Sequence, residues 1–373
     1  MFSRARFAAA HRSSLRYGIV AGLGVASLVL AGCAASDTAT ETVEEAADTT
    51  EATAEVSTAP CDPVTVASFG IATPETEADY GWNQMGIVGA TATADALGIT
   101  ADINSGVGYD NSESIMTQIV EKGNDFAIAH ASGFATGGAR VAEVTGTPVL
   151  VVDLDQLVEC QVAAVLFDAH EGGYLAGVAA ANETESGTLG IVASAEDLNW
   201  FTMSGGFIQG AQSVNPDINI VIAYIGPAEY GDSAGGQRVA SQVIAAGADI
   251  IFGMGDGATI GYLQAIETAS TPVRYIATIG DVTEIDTTGA MLTSVLWNFD
   301  LAYKQAIADL EAGVYGTTNY VLNVANGGFS LAKSENLNDA AGAAVEAAIA
   351  GISDGSITVD KLTTKDDVQA LLD

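Results

Sequence analysis

Basic residues are scarce in this chain. Its 373 residues hold 12 Lys and Arg against 47 Asp and Glu, a formal net charge of −35. Nucleic-acid affinity comes mainly from Lys and Arg that neutralise phosphates, so no nucleic-acid partner is expected. The same acidity disfavours phosphorylated small molecules and leaves neutral or cationic ones. Cysteine is limited to three residues and histidine to three, one of them the N-terminal His11. His130 lies inside an apolar strand pattern and reads as a core residue; His170 opens a helix. Neither stands beside a Ser or Cys elbow, which argues against nucleophilic catalysis. A G-x-G-x-x-G fingerprint, a D-x-[DN]-x-[DN]-G loop and His/Cys metal spacing are also missing. No cofactor or metal is implied, and the chain is not read as an enzyme.

The termini carry what is present. Arg4, Arg6, Arg12 and Arg16 precede the apolar "YGIVAGLGVASLVLAGC", a basic n-region followed by an h-region too short and Gly/Ala-rich for a membrane span. It ends in "LAGC", which matches the bacterial lipoprotein signal, so residues 1–32 are expected to be cleaved and Cys33 lipidated. Without the signal, eight basic residues face 47 acidic ones, a difference of −39. Residues 33–61, an Ala/Thr/Glu tract without Lys, Arg or aromatics up to Cys61, cannot bury a core and read as a disordered acidic tether. Cys61 and Cys160 each precede an apolar run at the same end of two strands. In an exported protein they form either a disulfide or two buried thiols.

From Asp62 onward, apolar runs alternate with helical patterns. Strands are expected within 64–72, 125–132, 147–153, 161–168, 187–194, 218–226, 248–256, 273–281 and 290–298. Helical patterns such as "SESIMTQIVEKG" and "GGQRVASQVIAAG" separate them. This rhythm, with strands apolar on both faces, predicts an α/β fold with parallel sheets covered on both sides. About 310 residues are too many for one ordinary core and suit two lobes. Polar and aromatic residues gather where strands stop: Trp82, Asn83, Ser132, Asp153 and Asp168 in the first set, then Trp200, Tyr230, Asp232, Asp256, Asp281, Trp297 and Asn298. In open α/β sheets, ligands bind outside the carboxyl ends of the strands. Two such sets imply two sheet edges facing each other across a cleft. Trp82, after "EADYG" and before a helix, is either a core cap or a wall of that cleft.

The stretches "DYGWNQMG", "FDAHEGGYLAGVAAANETESGTLGIVAS", "GGFIQGAQSVNPDINIVIAYIG", "AAGADIIFGMGD" and "MLTSVLWNFDLAYKQAIADLEAGVYG" occur in the order of a known family. The chain resembles the basic membrane protein family of ABC-transporter substrate-binding lipoproteins, whose members bind purine nucleosides or bases. The resemblance implies a type I periplasmic-binding-protein fold: two Rossmann-like lobes joined by a three-crossing hinge. Lobe I would hold 62–166 and 282–312, and lobe II 167–281 and 313–332. A C-terminal helical segment, 333–373, would follow.

On this resemblance the ligand set is Asp79, Trp82, Asn83, Ser132, Asp153, Trp200, Tyr230, Asp256, Asp281 and Trp297. Trp82 and Asn83 fall on the family's aromatic–Asn motif, Tyr230 near its second stacking aromatic, and Asp281 near an Asp after "IG". Trp297 stands where nucleoside-binding members have Lys. The expected function is an extracytoplasmic, lipid-anchored receptor that clamps a flat ring between Trp82 and Tyr230 and hands it to an ABC permease. Purine nucleosides or bases are the first ligand class and sugars the second; a tethered sensor and a nucleoside-acting enzyme are the other functions kept open.

Overall fold

The computed structural model describes residues 59–373. The signal segment, Cys33 and the tether through residue 58 lie outside the described residues.

The chain begins with β1 (Ser68–Ala72), α1 (Trp82–Leu97), β2 (Thr100–Asn104), α2 (Ser112–Glu121), β3 (Phe126–Ala129), α3 (Ala135–Thr145), β4 (Val149–Val152) and β5 (Val162–Phe167). It continues with α4 (Ala169–Glu183), β6 (Thr188–Ala193), α5 (Leu198–Val214), β7 (Asn219–Tyr224), α6 (Ser233–Ala245), β8 (Ile250–Met254), α7 (Thr259–Glu267), β9 (Arg274–Ile279) and β10 (Met291–Trp297). It ends with α8 (Phe299–Ala312), β11 (Tyr320–Leu322), β12 (Phe329–Leu331), α9 (Asp339–Ser353) and α10 (Lys365–Ala370). Two six-stranded sheets result, in the orders β11-β5-β4-β3-β1-β2 and β12-β10-β9-β8-β6-β7. The first is wholly parallel. In the second only β12 runs antiparallel. Inner strands such as β3 "FAIA", β4 "VLVV" and β8 "IIFGM" are buried at every residue, as a sheet covered on both faces requires.

The lobe boundaries differ from those expected. Residues 282–297 do not belong to lobe I: β10 pairs with β9 in the second sheet. Residues 313–322 do not belong to lobe II: β11 pairs with β5 in the first. The physical reason is burial. The apolar β10 needs an inner position and finds it between β9 and β12, after which α8 returns to pack on α1. The chain therefore crosses between lobes after Phe167, after Trp297 and between Leu322 and Phe329.

Within lobe II, α4 and α5 meet backbone to backbone. A Cβ on Gly177 would sit 2.0 Å from the carbonyl oxygen of Phe207, and one on Gly206 would sit 1.9 Å from that of His170. This contact fixes α5, whose first turn faces the cleft. The C-terminal helices α9 and α10 pack on α4 and α5 respectively. At the opposite end of lobe I from the cleft, Cys61 and Cys160 are joined by a disulfide with a Cα–Cα distance of 5.5 Å. Among the described residues no helix is long and apolar enough to cross a membrane.

Candidate functional site

A cavity of about 120 Å³ lies where the carboxyl ends of both sheets converge. Lobe I lines it with Glu75, Trp82, Asn83, Tyr109, Ser132 and Asp153. Lobe II contributes Asp197, Asn199, Trp200, Tyr230, Asp256 and the strand ends Ile279 and Trp297. Each follows or ends a strand, as expected for parallel sheets.

Trp82 is both packed and presented. It is half-buried, and its ring centroid lies 4.8 Å from that of His130 and 5.5 Å from that of Phe299. Trp297 and Phe167 meet it edge-on. Its indole N–H donates to the His130 carbonyl at 3.0 Å, and His130 Nε2–H donates back to the Trp82 carbonyl at 2.9 Å. The other ring nitrogen, Nδ1, accepts from the Tyr303 hydroxyl at 2.8 Å. Burial pushes His130 down to about 4, so the imidazole is neutral and this tautomer is locked. His130 is thus a buried support beneath Trp82. Gly86 permits the approach: a Cβ there would lie 2.4 Å from His130 Nε2.

Two hydrogen bonds join the lobes at the cavity. The Trp82 backbone N–H donates to Asp256 Oδ1 at 2.9 Å. Asn199 Nδ2 donates to Asp153 Oδ1 at 2.8 Å. The lobes are therefore in contact, which is the closed arrangement of a two-lobe binder. Asp153 and Ile279 occupy the left-handed region with φ of 73° and 72°, and Tyr80 at the approach to Trp82 has φ of 56°. For a β-branched residue such as Ile279 this is strained backbone, and strain of this kind gathers at binding sites.

The cavity is electronegative. Glu75, Asp153, Asp197 and Asp256 line it, and among the described residues no Lys, Arg or His lines it with them. Burial pushes Asp256 well above the usual carboxylate range, and repulsion from Asp79, Glu75 and Asp197 adds to the effect despite the Trp82 hydrogen bond. Burial likewise raises Asp153 to about 6 and lifts Asp197. Asp197 caps α5 by accepting from the Trp200 N–H at 3.0 Å and also accepts from the Tyr230 hydroxyl. Among the described residues no His, Cys, Asp and Glu group could hold a metal ion.

Eight of the ten sequence-derived ligand candidates line this cavity. Asp79 does not. Its carboxylate accepts from the N–H groups of Asn83 at 2.8 Å and Gln84 at 2.9 Å and from Asn83 Nδ2, which ties down the orphan donors at the start of α1. Asp281 does not either: it is exposed and accepts from the Thr283 N–H at 2.9 Å, holding a turn outside the cavity. Asp168 pairs with Lys361, and Asp232 caps α6. Trp297 forms a buried wall, with its indole N–H donated to Thr278 Oγ1 at 3.1 Å. Glu75, Tyr109, Asp197, Asn199 and Ile279 were not expected. Asp197 carried a usable signal, since an Asp before a helical apolar pattern is an N-cap at a strand–helix loop.

The family profile described as "ABC transporter substrate-binding protein PnrA-like" matches residues 67–341. The chain is 26% identical over 264 residues to the transcriptional activator protein Med of Bacillus subtilis, spanning 69% of this chain and 80% of that one. It is 26% identical over 245 residues to the ABC transporter nucleoside-binding protein BmpA of Lactococcus lactis, spanning 61% and 69%. Among solved structures, an ABC-transporter solute-binding protein from Conexibacter woesei superposes with a TM-score of 0.68 at 19% identity. That match covers 79% of this chain and 99% of the other.

Proposed function

Because this chain belongs to the Bmp family of PnrA-like ABC-transporter substrate-binding proteins, we propose that its cleft closes on a small flat ring held between Trp82 and Tyr230. One observation carries this reading. The cavity is built from the carboxyl ends of both sheets, with aromatic side chains from each lobe and interlobe hydrogen bonds at its edge. A ligand touching both lobes makes its full contacts only when they are closed, so binding shifts the population toward closure. No chemistry on the ligand is required.

Purine compounds are the first ligand class, supported by the printed name of the Lactococcus lactis relative. The 120 Å³ cavity is near the ~150 Å³ that admits a benzene ring and below the ~300–1,000 Å³ of drug-sized sites. That favours a free base over its nucleoside. Trp297, where nucleoside-binding members have Lys, points the same way. The partner on release is an ABC permease in the cytoplasmic membrane, met from its extracytoplasmic side. Lipidation of Cys33 would tether the protein there; Cys33→Ala should release it into the soluble fraction.

Calorimetric titration with adenine, guanine, adenosine, guanosine, ribose and arabinose tests the ligand class. A purine base binding more tightly than its nucleoside, with no sugar bound, is the expected result. Binding of a sugar with no purine bound would replace the ring reading by the sugar alternative.

A further inference from the structure

We infer that the ring this cleft accepts is a cation, a positively charged flat heterocycle. The inference rests on the ring-binding function proposed above, not on its purine assignment, and fixes the ring's charge. Two features of the closed cavity lead to it.

The first is uncompensated charge. Glu75, Asp153, Asp197 and Asp256 line one small cavity, and no basic side chain among the described residues shares it. The ion pairs of Lys122, Lys304, Lys361 and Lys365 are made to Asp102, Asp300, Asp168 and Glu196, none of which lines the cavity. Asp256 is buried, Asp153 and Asp197 are partly buried, and Glu75 is exposed; the more enclosed carboxylates are costly without a counter-charge, and a bound cation lowers that cost. Burial raises both Asp153 and Asp256, the direction expected of carboxylates held without a counter-charge.

The second feature is the wall material. Trp82, Tyr109, Trp200, Tyr230 and Trp297 all face this space. Aromatic faces attract cations through their quadrupole, most strongly where water is excluded, and a cage of such rings is a known way to hold a positively charged nitrogen. A neutral ring would gain stacking from the same walls and hydrogen bonds from its N–H groups to the carboxylates, but not the attraction of opposite charge.

The test uses two isosteric flat rings, 1-methylnicotinamide and 3-methylbenzamide. They differ in a ring N⁺ against a ring carbon, and both carry a carbonyl acceptor. Adenine and adenosine complete the calorimetric panel at pH 7.5. The expected result is at least about tenfold tighter binding of 1-methylnicotinamide than of 3-methylbenzamide. That preference should shrink severalfold in Asp197→Asn and in Glu75→Gln; Glu75 has a cavity-facing position and makes no capping bond with its carboxylate, so its variant serves if Asp197→Asn fails to fold. Equal or tighter binding of 3-methylbenzamide overturns the cationic assignment, as does a preference unchanged in the folded variants. If adenine or adenosine binds while the cationic probe does not, the charge inference fails and ring binding survives. If all four are ignored, both fail.

Discussion

The backbone N–H of Trp82 at the head of α1 and the carboxylate of Asp256 at the end of β8 are joined across the cleft at 2.9 Å. The bond links a lobe I aromatic wall to a lobe II carboxylate, so a residue that lines the cavity also records whether the lobes are closed. Asp256→Ala leaves that N–H without a partner in the closed state only. Leaving that buried donor unpaired costs about 1–3 kcal/mol and should weaken ligand binding by roughly fivefold or more. Solution scattering of the apo variant should show a larger radius of gyration than wild type. Unchanged affinity and radius would show that the bond does not hold the closed form.

Trp82 should report on binding and folding together, because its ring is half-buried on His130 and Phe299. Trp82→Ala should cost about 3 kcal/mol of stability, the low end for truncating a large aromatic, and ~1–3 kcal/mol of ligand affinity. Trp82→Phe should restore much of the affinity but not the bond from the indole to the His130 carbonyl. Denaturant melts and calorimetry on both variants check this. A variant that loses stability alone would reduce Trp82 to a core residue.

How far the cleft was legible in the sequence follows from the same residues. Strands buried on both faces announce themselves as apolar runs, and all nine expected runs contain a strand. What escaped was exposed or short. The strand β2, "TADIN", lies at a sheet edge with no residue fully buried, so its run reads as polar. With β2 unseen, Tyr109 in the loop after it could not be recognised as a strand-end residue. The strands β11 and β12 have three residues each, too few for a pattern, and the misplaced lobe boundaries follow from missing them. Asp79 and Asp281 lie outside the cavity lining because a carboxylate after a strand either faces the cleft or ties down its own loop. Spacing does not separate the two, and only the hydrogen bonds of the folded chain do.

Burial raises the Asp153 carboxyl from 3.8 to about 6, opposed by the Asn199 hydrogen bond and reinforced by Asp197. The folded state therefore holds this proton more tightly than the unfolded chain. Its stabilising contribution is present below about pH 4 and lost as pH rises through 6. His130, lowered from 6.5 to about 4, acts in the opposite sense: its contribution is present above pH 6.5 and lost as pH falls through 4. The two partly cancel in wild type, so the difference between wild type and Asp153→Asn isolates the first. Relative to wild type, the variant should gain up to ~3 kcal/mol between pH 4 and pH 7, for roughly two pKa units. Parallel urea-unfolding profiles across that range would contradict the burial of Asp153.

The Cys61–Cys160 disulfide spans a sequence separation of 99. In the chain-entropy picture a loop of about 100 residues is stabilised by up to ~4.7 kcal/mol, and measured values often fall lower. Replacing both cysteines by serine should lower stability by about 2–4 kcal/mol and leave ligand affinity unchanged, because the bond sits at the far end of lobe I. A matching fall in affinity would mean that this end of the lobe governs closure.

Native mass spectrometry on protein purified without refolding tests the central claim most directly, with the bound molecule released and identified. The account predicts one small flat-ring compound per chain in wild type, and its loss from the Trp82→Ala/Tyr230→Ala variant. A ligand without a ring, or a ring compound retained undiminished by a folded double variant, would contradict the clamp.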